Sequence, residues 1–262
     1  MSLILEHYLY GFGVGIAFFI IAWVVSLVLG KSSHIDSVWG LSFSLLTAFY
    51  YYLSGKVIGQ LDIIFITVVF LWSFRLGLFL AYRFSVEGED RRYVEIKTNW
   101  NKTNVGFIGM FILQGFLASL LSIPLLLFSH GVVVNEALFF VGISFVFIFT
   151  VFETVADWQL FQFKARNKNR TCNVGLWKYS RHPNYFSEWM IWVGLFLTTL
   201  SQGALGWFSF ISVAIIFYLL NFVSGIPIIE RDARNGVFKR EGEKEYFEST
   251  SVFFPLLPRR KS

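Results

Sequence analysis

Arg181, His182, Asn184 and Glu188 fall within one short stretch, YSRHPNYFSE, just ahead of an apolar run. Proline is favoured in the first turn of a helix, so Pro183 is expected to open one. Arg181 and His182 then stand at its amino end, where free N–H groups and the positive end of the helix dipole add to their charge and suit phosphate. Asn184 and Glu188 are four apart and share a helix face. An amide beside a carboxylate can hydrogen-bond a polar head group such as a carboxamide. The pattern fits a long ligand with anionic phosphates at one end and an uncharged ring at the other, and a nicotinamide dinucleotide has that shape. A second reading leaves Arg181 and His182 as ordinary cationic anchors at a helix end and pairs Glu188 with a neighbour such as Lys164.

Two neighbouring patterns bear on the choice. Upstream, KARNKNR supplies Lys164, Arg166, Lys168 and Arg170 with two asparagines, donors matched to phosphate oxygens including an extra one on a ribose. Glu153, Asp157 and Lys164 are spaced by four and seven and share one helical stripe. That stripe reads either as a salt-bridged seam between helices or as the wall of a polar cavity. No Gly-x-Gly-x-x-Gly turn follows a strand-like segment, so a Rossmann domain is not the expected carrier. Cys172, the single cysteine, rules out an internal disulfide and reads as incidental in its basic loop.

The elements that must position these groups are set by composition. With 55% hydrophobic and 15% charged residues, and 32 Phe among 262 residues, the chain holds more apolar surface than a soluble core can absorb. It is expected to be all-α, a polytopic membrane bundle. Taking about 20 apolar residues per span, seven spans are predicted near 9–29, 36–54, 61–83, 105–128, 136–163, 184–201 and 204–228. The amino terminus lacks the basic flank and small-residue cleavage pattern of a removable signal peptide, so the first run is kept as a span. The chain is divided into residues 1–104, a three-span region facing a lipid-soluble substrate, and 105–262, a four-span region facing a cofactor. Of 22 Lys and Arg, all but Lys56 and Arg75 fall in one alternating set of loops and the tail. The positive-inside rule puts those loops and the carboxyl terminus in the cytoplasm and the amino terminus outside, in a bacterial inner membrane or the endoplasmic reticulum. The net charge of +5 is thereby used by topology, and no nucleic-acid partner is expected; the expected surroundings are membrane lipids.

The tail from Glu230 mixes charges with Phe238, Tyr246, Phe247, Val252 and Phe253, as an interfacial helix would. It reads as an anchor or as a segment folded back over a site. Inside the spans a lone charge costs roughly 2.5–3.5 kcal/mol. Asp36 and Arg75 are therefore expected to form an ion pair between helices, and Asp36 is also the candidate acid.

The segments ADWQLFQFK, NVGLWKYSRHPNYFSEWMIWVGLFL and ERDARNGVFKREGEKEYFESTSVFFP resemble a group of uncharacterised multispan membrane proteins. These are classed with the steroid 5-alpha-reductase and sterol reductase superfamily, to which isoprenylcysteine carboxyl methyltransferases are related. The resemblance covers about the last 115 residues, with a fainter echo in HIDSVWG and LWSFRLGLFLAYRFSVEGEDRRY. It implies seven spans and an NADPH cavity built by the carboxyl-terminal half. It also implies cofactor roles for Asp157, Lys164, Asn184, Glu188 and Arg231, supported by Arg181, His182 and Tyr246; the Gly175–Asn184–Glu188 spacing matches the steroid reductases without gaps. In those reductases a Glu and a Tyr hold the carbonyl of an enone. The nearest counterparts are Asp36 and Trp72, and an indole cannot replace a phenol as an acid, so the expected substrate widens to a steroid-like or isoprenoid-like lipid.

The expected reaction is hydride transfer from NADPH to the carbonyl-conjugated double bond of a lipid-soluble substrate. Negative charge then builds on the carbonyl oxygen and requires a donor in a dry cavity. The rival within the fold is an S-adenosylmethionine-dependent methyltransferase, since its relatives share Arg-His-Pro followed two residues on by Tyr. Glu188 favours reduction, because the methyltransferase pattern carries an aromatic residue there. A non-catalytic membrane protein such as a transporter is the third reading, against which stands the lack of an internal repeat.

Overall fold

The computed structural model describes residues 2–99, 103, 105–167, 169–236 and 240–259. Lys168 of the basic loop and Phe238 of the tail lie outside the described residues. Among the described residues the chain is helical, with one isolated bridge between Arg170 and Glu241. The helices are α1 (Ser2–Leu29), α2 (Ile35–Ser54), α3 (Gln60–Glu87), α4 (Arg91–Asn99), α5 (Ile108–Leu121), α6 (Ile123–His130), α7 (Glu136–Arg166), α8 (Pro183–Leu200), α9 (Phe210–Tyr218), α10 (Ile226–Arg234) and α11 (Glu243–Ser249).

Five stretches are long and apolar enough to cross a membrane: Leu3–Leu29, Gln60–Glu87, Ile108–His130, Glu136–Arg166 and Ala204–Arg234. The other two of the seven predicted spans exist as α2 and α8 but fall outside that class. The reason is visible in their buried polar residues, Ser37, Ser42, Ser44 and Thr47 on α2 and Ser187, Glu188, Thr198 and Thr199 on α8. A helix that buries polar side chains within protein does not need the hydropathy that lipid demands. The Ile108–His130 stretch is broken at Ser122, one residue before the α6 turn that carries Pro124. The Ala204–Arg234 stretch is interrupted by a π-helical turn at Leu219–Val223.

The chain forms two compact units, Met1–Ile143 with Phe196–Ser212, and Ser144–Leu195 with Val213–Ser262. Their boundaries fall within α7, α8 and α9, whereas the division read from the sequence falls at residue 104. In the first unit, α2 and α3 approach so closely at Gly40 and Gly77 that a Cβ on Gly40 would lie 2.6 Å from the Gly77 nitrogen. Phe43 and Trp72, both fully buried, stack beside this crossing with centroids 5.2 Å apart. Tyr50 bonds the Ser122 hydroxyl at the break between α5 and α6, 2.8 Å away. At one end of the unit Lys56 donates to Asp62 (2.6 Å) and to the Gly131 carbonyl (2.8 Å), while His7 Nδ1 and His130 Nε2 meet at 2.7 Å.

Asp36, at the start of α2, accepts from Arg92 (3.1 Å) and from the buried phenol of Tyr93, with Arg83 at 3.9 Å. The expected partner Arg75 is replaced by this set because α4 folds back to α2: Asp90 N bonds Ser33 Oγ, and Ser32 N bonds Glu89. Burial, reinforced by the charge of Asp36, pushes the Tyr93 phenol well above its ordinary range. Asp36, the candidate acid of the sequence, thus accepts from two donors, Arg92 and Tyr93.

Candidate functional site

The second unit holds most of the predicted site residues, and α7 supplies its first wall. Trp177 Nε1 donates to the Ala156 carbonyl (2.9 Å), and Leu176 N donates to Gln159 Oε1 (3.0 Å). These bonds fix a short 3-10 turn, Gly175–Lys178, against α7. Gly175 is needed there: its φ is +57°, and a Cβ would fall 2.3 Å from the Gln159 amide. The turn delivers the chain to Pro183, which opens α8 as the sequence predicted.

In the first turn of α8 the amide of Asn184 donates to Asp157 Oδ1 at 3.1 Å. Its own Oδ1 is buried without a hydrogen-bond partner. A donor, such as the NH2 of a carboxamide, would satisfy it. Glu188, 8% exposed, lies four residues on and accepts from Trp192 Nε1 at 3.0 Å. The predicted stripe on α7 is therefore graded: Glu153 is buried, Asp157 is half-buried and bonded to α8, and Lys164 is exposed.

Arg181 and His182 do not offer themselves to phosphate. Both are buried, and both are held by Glu230 of α10, with Arg181 Nη2 at 2.9 Å from Oε2 and His182 Nε2 at 3.1 Å from Oε1. Arg181 also donates to the Phe247 carbonyl (2.8 Å) and lies 4.2 Å from that ring's centroid. Burial lowers the proton affinity of both groups, against the opposing pull of Glu230. Tyr246 is likewise structural, donating to the Trp177 carbonyl at 2.6 Å, and burial raises its phenol above the usual range. Arg181, His182 and Tyr246 together clasp the tail onto the approach to α8. Three further bonds complete the clasp: Arg181 N to Ser251 O (2.8 Å), Ser180 Oγ to Phe253 O (2.8 Å) and Leu256 N to Tyr179 O (2.9 Å). The tail is bonded along residues 179–182. It is broken into α10 and α11 instead of running as one interfacial helix.

Beside this clasp lies a cavity of about 380 Å³ lined by Asn221, Ile226, Pro227, Glu230, Arg231, Arg234, Asn235 and Val252. Its size is that of a small-molecule site. Asn221 reaches it from the π-helical turn, a local widening that recurs at functional positions. Arg231 is exposed and bonded to Asp232 (3.1 Å), and Arg234 is exposed. Arg170 lies apart, at the Asn169–Thr171 bridge to Glu241, where its Nε is 3.6 Å from the Glu241 carboxylate. Sequence reasoning found Arg231 but missed Glu230, Arg234, Asn221 and Asn235. The one local signal for Glu230 was an acid at the end of an apolar run; its partners are distant in the chain.

A family model for proteins of unknown function, DUF1295, matches residues 22–250, and the chain belongs to that family. No curated protein and no solved structure matches it.

Proposed function

We propose that this multi-pass membrane protein is an NADPH-dependent reductase of the steroid 5-alpha-reductase-like type. Its substrate is a lipid-soluble molecule with a carbonyl-conjugated double bond. The observation that carries the reading is Asn184: its amide is oriented by Asp157, and its buried carbonyl oxygen awaits a donor. Glu188, one turn along the same face, adds an acceptor for the same kind of head group. Arg231 and Arg234, with the amides of Asn221 and Asn235, line the nearby cavity and suit phosphate oxygens. The donor set therefore fits a phosphorylated dinucleotide with a carboxamide, and NADPH would supply a hydride when bound.

The chain's own groups orient and exclude. Asp157 holds the Asn184 amide in one sense, because its carboxylate can only accept. The clasped tail keeps water from the approach to α8, which strengthens polar contacts inside. The basic loops that carry these groups face the cytoplasm by the positive-inside rule, where NADPH is available.

Mass spectrometry of small molecules carried by detergent-purified protein tests the reading. NADP(H) is the expected result, and NADPH oxidation on adding a lipid-soluble enone is the expected activity. Recovery of S-adenosylmethionine would replace reduction by methyl transfer. With no nucleotide retained and no change in NADPH affinity in Asn184→Ala or Glu188→Ala, a non-catalytic role would stand instead.

A further inference from the structure

Glu230 occupies two places at once. It is one of the residues that line the cavity, and its carboxylate holds Arg181 and His182, the two residues directly before Pro183 and Asn184. His182 is fixed on its other side by Tyr185, whose ring lies parallel to it within 4° at 5.5 Å. The backbone carbonyl of His182 accepts from Phe186 N (3.1 Å), so this residue also seats the first turn of α8. The charged and titratable groups around the pair are Glu230, Arg181 and Arg234, with Tyr246 and Tyr185. An acid on the wall of a cavity suited to anions is unfavourable for those anions unless its charge is offset. Arg181 offsets it, and the buried pair is thereby left as a rigid link between the cavity wall and the α8 terminus.

We propose that Glu230 is a positioning residue: acting through His182 and Arg181, it sets the first turn of α8 and with it the Asn184 amide. The role rests on the reductase reading above for its effect on NADPH, but the positioning itself does not. Three roles for Glu230 make different forecasts. As a positioning group it is replaceable in part by glutamine, whose carbonyl still accepts from one partner, and not by alanine. As a purely electrostatic group it would make Gln and Ala alike, both removing an unfavourable charge and both tightening NADPH binding. As a packing group remote from the ligand it would change local stability and leave affinity alone.

The test pairs two measurements on the full-length protein in detergent, for wild type, Glu230→Gln and Glu230→Ala. One is hydrogen–deuterium exchange of the amides of residues 179–188. The other is NADPH affinity by calorimetry. Positioning predicts faster exchange and about tenfold weaker binding in Glu230→Ala, with Glu230→Gln between it and wild type. Equal or tighter binding in both variants, or unchanged exchange in Glu230→Ala, would overturn it. If wild type bound no NADPH while Glu230→Ala still freed these amides and Glu230→Gln restrained them, the reductase reading would fall and the positioning would stand.

Discussion

Asn184 donates its amide N–H to Asp157 across 3.1 Å and keeps its carbonyl oxygen buried without a donor. The pair joins α7 to the first turn of α8. A half-satisfied amide is costly, because the unmet acceptor carries a desolvation penalty of about 1–3 kcal/mol. A ligand that brings an N–H recovers that penalty. Asn184→Ala is therefore expected to fold and to weaken NADPH binding by roughly tenfold or more, measured by calorimetry in detergent. Asn184→Asp is expected to bind more weakly still, since it sets a second carboxylate against Asp157. Wild-type affinity in both variants would show that the amide does not meet the ligand.

The clasp around His182 makes the tail sensitive to acid. Burial holds the imidazole below its ordinary value of 6.5, despite Glu230. The opened state therefore binds a proton more readily than the closed one. The stabilisation is fully present above the opened-state value and is lost as pH falls from there through the depressed folded value. Limited proteolysis of the tail is expected to be slow at pH 7.5 and to accelerate as pH drops below about 6.5. His182→Gln, which cannot titrate, is expected to flatten that profile. A tail whose cleavage rate ignores pH in wild type would disprove the linkage.

How far the chain discloses this site depends on the distance between partners. Pro183, Asn184 and Asp157 were legible because each follows a local rule: proline in a first turn, and polar residues at helical spacing. The surroundings of Arg181 and His182 were not legible, for the opposite reason. Their partner Glu230 lies 48 residues beyond His182, and two cations at a helix terminus look free until that carboxylate is placed. Asp36 repeats the lesson, since its donors Arg92 and Tyr93 stand 56 and 57 residues away. The long apolar helices were legible, whereas α4, the break between α5 and α6 and the division of the tail into α10 and α11 were not. What hydropathy did not separate was a helix that faces lipid from one, such as α2 or α8, that buries polar residues in protein.

The crossing of α2 and α3 yields a packing test. A Cβ at Gly40 would meet the Gly77 backbone nitrogen at 2.6 Å, and backbone cannot swing aside as a side chain can. Gly40→Val is expected to cost at least ~1–3 kcal/mol, read as a lowered melting temperature. Gly13→Ala is the control, because nothing lies within 4 Å of the added Cβ. It is expected to melt at or above wild type, helped by the better helix propensity of alanine. Equal melting of the two variants would mean that α2 and α3 are not in this close register.

Asp36 and Tyr93 join the start of α2 to α4. With Arg92 and the Tyr93 phenol both donating to it, Asp36 holds α4 to the start of α2. Removing the phenol in Tyr93→Phe deletes one donor and is expected to cost about 1 kcal/mol. Asp36→Ala leaves the buried Tyr93 phenol without its acceptor, while Arg92 keeps Asp90, and is expected to cost more, about 1–3 kcal/mol. Both losses are read as lowered melting temperatures. NADPH affinity is expected to persist in each, because the proposed contacts lie on α7, α8 and α10. The contrary result would be a Tyr93→Phe protein that melts like wild type and binds NADPH, yet no longer oxidises it with a lipid-soluble enone. That outcome would move Tyr93 from latch to proton donor.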